Sequence, residues 1–133
     1  MKYMLDTNIC IYLIKKKSEK VLSHFKAHSI GDIWISSITI AELRHGVEKS
    51  QQVQKNREAL YEFLLTFEIA DFDYEAAVSY GTVRVALEKA GTPGWFMDML
   101  IGAHALSLGA TLVTNSVREF RQIKGLKIAD WSI

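Results

Sequence analysis

The 133-residue chain has one cysteine, Cys10, and one proline, Pro93. A lone cysteine excludes an intrachain disulfide and a thiolate metal cluster, and its place between Ile9 and Ile11 marks it as a core residue. One proline and no low-complexity tract argue against a Pro-rich linker or a disordered tail. Surplus charge is lacking too: 16 Lys and Arg face 15 Asp and Glu, a formal net charge of +1. A protein that grips many phosphates usually carries more. Lys15 to Lys17 read first as cations answering a helix C-terminus. Long apolar runs are absent, because ICIYLI at 9–14 is too short to cross a bilayer and MLIGAHALSLGATLV at 99–113 is broken by His104, Ser107 and Gly109. A signal peptide is not expected, since Asp6 arrives before its apolar region could form. These absences predict a cytoplasmic protein without a membrane segment.

What is present is 49% hydrophobic and 23% charged residues, the mixture of a globular protein. Residues 1–133 are read as one domain, long enough to bury a sizeable core. Residues 2–5 predict a short buried strand and 8–15 a helix. A second helix is expected over 18–29, capped by Ser18, with Val21, Leu22 and Phe25 inward. IWIS at 33–36 predicts a second strand. Helical spacing resumes in SSITIAELRHGVEKS at 36–50 and again over 52–67, where Leu60, Phe63, Leu64 and Phe67 share a side. EIAD at 68–71 reads as a third strand, and 74–90 as a helix with Ala77, Tyr80, Val83, Ala86 and Leu87 at helical steps. The loop GTPGW leads to a helix over 97–108, closed by Gly109. Strand TLVT at 111–114, a helical turn near 117–122 and a last strand in LKIADW complete the chain. Strands alternating with helices predict an α/β sandwich, with a central, mostly parallel sheet of about four or five strands and helices on both faces. Ligands of such sheets bind outside the carboxyl ends of the strands, where strand order reverses.

Acids stand at those ends. Asp6 follows the first strand, Glu42 lies six residues beyond the second, Asp98 opens the helix before TLVT, and Ser116 and Glu119 follow TLVT. In a parallel sheet they share one rim. Each has a plainer explanation: Asp6 as a helix cap, and Thr39-Ile-Ala-Glu42 and Ser116-Val-Arg-Glu119 as capping boxes. Asp98 resists this, because it lies in WFMDMLIGAHAL among apolar neighbours, where a buried carboxylate needs a partner. No Lys or Arg is close in sequence, so the partner comes through the fold or is a divalent cation. Two carboxylates at ~4 Å and an effective dielectric of ~20 repel by about 4 kcal/mol, enough to raise a pKa or draw in a metal. Oxygen donors without thiolates or paired histidines favour Mg²⁺ or Mn²⁺.

Four ordered segments, MLDTNICIYLI at 4–14, SSITIAELRHGVEKS at 36–50, MDMLIGAHALSLGATLVTN at 97–115 and REF at 118–120, together resemble PIN-domain ribonucleases of the VapC toxin type. The likeness spans essentially the whole chain. It implies a PIN-like α/β fold and a Mg²⁺-dependent endoribonuclease, Mn²⁺ substituting, that blocks translation by cleaving RNA. It suggests tRNA, with the anticodon stem-loop of initiator tRNA as one target. It further implies a VapB-like antitoxin partner, a homodimer, and contact with operator DNA only through the antitoxin. Position by position, Asp6, Glu42 and Asp98 match the acidic, metal-holding site. Many PIN domains carry a further aspartate where this chain has Asn115 and Ser116, and Glu119 matches the acid of REF. Thr7, Asn8, Thr114, Asn115 and Ser116 are the expected supporting residues, Asn8 orienting Asp6 or a water, with helix capping as the rival role. Where relatives read Gly-x-Pro-Ile-Gly-Pro, this chain has Gly91-Thr92-Pro93-Gly94-Trp95-Phe96, bulky at its end.

Arg44, Lys49, Lys55, Arg84, Arg118 and Arg121 are candidates to position an RNA backbone. His45 and His104 are read as structural or surface residues. Two other readings stand beside the nuclease. One is a PIN-like module that binds RNA or a partner and whose acids are caps. The other is an aspartate-nucleophile phosphatase, which usually places a second acid where Asn8 stands.

Overall fold

The computed structural model describes residues 1–92 and 94–133; Pro93, part of the expected loop before Asp98, lies outside the described residues. Five short strands form one parallel sheet: β1 (Tyr3–Leu5), β2 (Ile33–Ser36), β3 (Glu68–Ala70), β4 (Thr111–Val113) and β5 (Lys127–Ala129). Their order is β3-β2-β1-β4-β5. The chain therefore starts at the centre, builds outward through β2 and β3, then crosses to β4 and β5. Between β1 and β4 the order reverses, and there Leu5 pairs with Val113.

Adjacent strand residues point to opposite faces, and helices cover both. Leu5, Ile33, Ile35 and Val113 pack with Ile9, Cys10, Val21, Leu43 and Leu60, residues of α1 (Thr7–Lys15), α2 (Glu19–Lys26), α3 (Ser37–Glu48) and α4 (Val53–Leu64). Met4 and Leu112 pack the other way against Val83, Leu87, Met99 and Ile101, from α5 (Tyr74–Lys89) and α6 (Phe96–Leu108). A four-residue α7 (Val117–Phe120) links β4 to β5 and buries Phe120. No helix is long and apolar enough to cross a membrane among the described residues. Cys10 is fully buried, as expected of a core residue.

The helices stop where local chemistry says they should. Ser18 caps α2 by accepting from the Val21 amide, and that helix closes at Lys26 rather than reaching 29. Gly109, at φ 64°, takes the left-handed position that ends α6 before β4. In α5 the inward residues are Ala76, Val83 and Leu87, while Ala77 and Ala86 are exposed. Alanine carries too little apolar surface to fix a helix's rotation, so the larger Val83 and Leu87 decide it.

His104 ties the α6 layer to the sheet. It is 1% exposed, its Nδ1 lies 2.8 Å from Ser36 Oγ, and burial lowers its pKa below 6.5. Its role is structural. Ser36 also caps α3, accepting from the Ile38 amide at 3.1 Å. Ser36→Ala removes a cap and strands a buried imidazole nitrogen, so we expect a loss of about 2–4 kcal/mol in urea unfolding. Retention of wild-type stability would show that the His104 contact is idle.

Candidate active site

The reversal between β1 and β4 puts two loops side by side at the carboxyl edge of the sheet. The Asp6 amide extends the pairing by donating to the Val113 carbonyl at 3.0 Å. Asp6 then turns the chain into α1. Its Oδ1 accepts from the Ile9 amide at 2.9 Å, so it is a helix cap. Its Oδ2 accepts from Thr114 Oγ1 at 2.5 Å. Thr114 in turn accepts from the Ser116 amide at 2.9 Å, which orients its hydroxyl proton toward Asp6. Capping thus fixes the carboxylate without using up its charge.

Glu42 comes from the second turn of α3, beside α1. Thr7 Oγ1 donates to its Oε1 at 2.6 Å. The expected capping box does not form: Ser36 is the cap, and Thr39 lies inside α3, fully buried, its hydroxyl without a hydrogen-bond partner. The helix starts earlier because Ser36, the last residue of β2, already offers a capping hydroxyl. Asp98 sits in the first turn of α6. Glu119 belongs to α7, and Ser116 at its N-terminus makes no side-chain cap bond, so the second expected capping box is absent as well.

Burial pushes the Asp6 carboxyl up to about 6, against the opposing hydrogen bonds from Thr114 and Ile9, and the charges of Asp98 and Glu42 push it further. Asp98 is raised first by burial, then by the charges of Glu42 and Glu119. Among the described residues no Lys or Arg forms an ion pair with any of the four; the ion pairs present join Arg44 and Arg57 to Glu48 and Arg84 to Glu88. Nor are any three His, Cys, Asp or Glu side chains gathered tightly enough to close a metal shell alone. The all-oxygen donor set suits a Mg²⁺-type ion, which binds through one or two carboxylates and keeps several waters. Asp6, Asp98 and Glu42 are the residues that could hold it, with Glu119 on the outer wall.

Other candidates divide. Thr7 and Thr114 hold acids directly. Asn8 is exposed and engages neither Asp6 nor Glu42. Asn115 donates to the Tyr12 hydroxyl at 2.9 Å, joining β4 to α1. Ser116 acts through its backbone amide. Tyr12 carries no sequence signal for this contact, and only the fold shows its reach to Asn115. Arg44 spends its charge on Glu48, whereas Lys49, Lys55, Arg118 and Arg121 are exposed. Asn8, not an acid, stands two residues after Asp6, where an aspartate-nucleophile phosphatase usually places its second acid.

Known proteins resemble this chain over nearly its whole length. The PIN domain model matches residues 3–126. The chain is 41% identical over 132 residues, 99% of each chain, to the tRNA(fMet)-specific endonuclease VapC of Shigella flexneri. Among solved structures it superimposes on DNA-bound VapBC from Salmonella typhimurium with a TM-score of 0.93, at 41% identity and 98% coverage of both chains. For VapBC2 of Rickettsia felis bound to a promoter DNA fragment the TM-score is 0.92, at 40% identity over 98% of this chain and 99% of that one.

The raised pKa values set a sign. A carboxyl raised on folding favours the folded state at low pH, and that stability is lost as pH rises from the unfolded value through the folded one. Asp98→Asn behaves like a permanently protonated Asp98. We therefore expect the metal-free variant to match wild type near pH 3.5 and to melt higher at pH 8. Mn²⁺ should raise the Tm of wild type at pH 8, less as pH falls through about 6, and barely at all in the variant. Strong destabilisation of Asp98→Asn at pH 8 would contradict the repulsion.

Proposed function

We propose, on the premise that this chain belongs to the PIN-domain family, that it is a metal-dependent endoribonuclease acting as the toxin of a toxin-antitoxin pair. The observation that carries the proposal is that Asp6, Glu42, Asp98 and Glu119 act on one another's surroundings and, among the described residues, none of them is ion-paired with a Lys or Arg. Similarity to an endonuclease named for tRNA(fMet) supports tRNA as the substrate class. Similarity to VapBC complexes, two of them DNA-bound, supports a VapB-like antitoxin, with operator DNA engaged through it. A homodimer and a cytoplasmic location belong to the same reading.

Asp6, Asp98 and Glu42 would hold Mg²⁺ or Mn²⁺. Such an ion, when bound, supplies Lewis acidity that lowers the pKa of water and offsets charge on phosphoryl oxygens. The chain's own residues do the positioning. Thr114 fixes the Asp6 carboxylate from β4, and Thr7 fixes Glu42 from α1. Both acids then present their charge without rotamer search when substrate arrives. Water oxygen joins phosphorus, the bond from phosphorus to the ribose 3′ oxygen breaks, and a proton ends on that oxygen. The products are 5′-phosphate and 3′-hydroxyl ends, because the ribose 2′-hydroxyl takes no part.

An apolar groove of about 260 Å³ between α1, α3 and α4 is lined by Ile11, Ile14, Leu43 and Val47, with Glu42 also in its wall. It offers an antitoxin segment a seat from which to reach the acids. The rival reading, a module whose acids are only caps, loses Glu42 and Glu119, neither of which caps.

Purified protein with Mg²⁺ should cleave tRNA, and EDTA should stop it. Asp98→Asn should lower the rate by at least about 100-fold, and Thr114→Val by about 10- to 100-fold, the range for losing an outer partner of a metal ligand. Sequencing of the cut ends should find 5′-phosphates. Undiminished cleavage by Asp98→Asn, or 2′,3′-cyclic phosphate ends, would overturn the proposal.

A further inference from the structure

Beside the acids the surface departs from ordinary packing. Trp95, 66% exposed, and Phe96, 52% exposed, stand together at the start of α6, three and two residues before Asp98 respectively. Trp95 borders a cleft of about 250 Å³ that also reaches Asp98 and Glu119. The floor of this cleft is apolar, formed by Leu87, Met99 and Phe120, and Gln122 lies on its rim. Drug-sized ligands occupy pockets of ~300–1,000 Å³, so this one suits a single ring system. The Arg84 guanidinium lies 4.7 Å from the centre of the Phe96 ring, placing a cation just outside.

The chemistry of the cleft selects its occupant. An apolar floor with an amide on the rim fits a flat ring with a polar edge. An indole standing in water beside the floor gives that ring a face to stack on. The acids at the inner end repel bare phosphate, so a substrate entering there gains from contacts that carry no charge. Base stacking is such a contact, and it is worth most for unpaired bases whose faces are free.

We infer that Trp95 is a stacking platform for one unpaired base of the RNA substrate next to the scissile phosphate, with the cleft as that base's pocket. The inference rests on the ribonuclease reading and extends it to a residue that selects and positions substrate. It makes single-stranded or loop RNA, rather than a continuous duplex, the form the site accepts.

The test uses the full-length protein in EDTA, so that binding is read without cleavage. The probes are short single-stranded RNA oligonucleotides, one fully based and a series with one abasic position each. Trp131 is 3% exposed and Trp34 is half-buried, so the exposed indole is that of Trp95. Saturating RNA should quench its emission. Trp95→Ala should bind about 5- to 150-fold more weakly, the range for one lost base–aromatic stack, and Trp95→Tyr should retain most of the affinity. At one position, removing the base should weaken wild type by a similar factor and leave Trp95→Ala unaffected. Absence of quenching, unchanged affinity in Trp95→Ala, or equal abasic penalties in both proteins at every position would overturn the inference. Any of these results with intact Mg²⁺-dependent cleavage by wild type leaves the nuclease standing, whereas absence of cleavage with a working stack removes the nuclease alone. Affinity of Trp95→Ala lost only for a protein partner, with RNA binding unchanged, also counts against the platform.

Discussion

Like charges brought together by the sheet are the constraint on which the site depends. β1 and β4 are neighbours because the chain begins in the middle of the sheet and later crosses over to its other half. That crossover sets Asp6 beside Thr114 at the one edge where strand order reverses. α3 and α6, leaving the same edge region, add Glu42 and Asp98. The folded chain thus assembles negative groups that repel in the absence of a counterion, and the raised values of Asp6 and Asp98 register that repulsion together with burial. Such an arrangement persists only if the surrounding core holds it, which the two apolar layers on either face of the sheet do.

Hydrogen bonds shape the site without neutralising it. Asp6 takes one from a backbone amide and one from a hydroxyl, and Glu42 takes one from a hydroxyl. Neutral donors orient a carboxylate and leave its charge available, whereas an Arg or Lys partner would satisfy it. Among the described residues the cationic side chains that do form ion pairs form them elsewhere, Arg57 and Arg44 with Glu48 and Arg84 with Glu88. Capping therefore does not exhaust the Asp6 carboxylate, whose charge no cation offsets among the described residues.

Much of this is legible in the sequence, and the exceptions have physical reasons. IWIS reads as a strand because a doubly covered parallel strand is continuously apolar, and β2 spans those residues. The parallel sheet follows from strands alternating with helices. Asp98 stands out because its neighbours are apolar, a signal that survives without coordinates. Glu42 is harder: the Thr39 pattern suggests a cap, but Ser36, the last residue of β2, takes that role first. Asn8 follows Asp6 closely, yet helical rotation turns it outward. The Thr114 and Tyr12 contacts join residues more than 100 positions apart, which only the strand order brings together. Ala77 and Ala86 mislead about the buried side of α5, since small residues fit either side.

Soaking crystals of the metal-free protein in Mn²⁺ and measuring anomalous scattering locates the ion directly. A peak about 2.0–2.2 Å from carboxylate oxygens of Asp6 or Asp98, the bond length of a small hard cation, is the expected result. A crystal in which these carboxylates bind no Mn²⁺, and a Lys or Arg side chain lies among them instead, would contradict the central claim that the four acids are left to a metal.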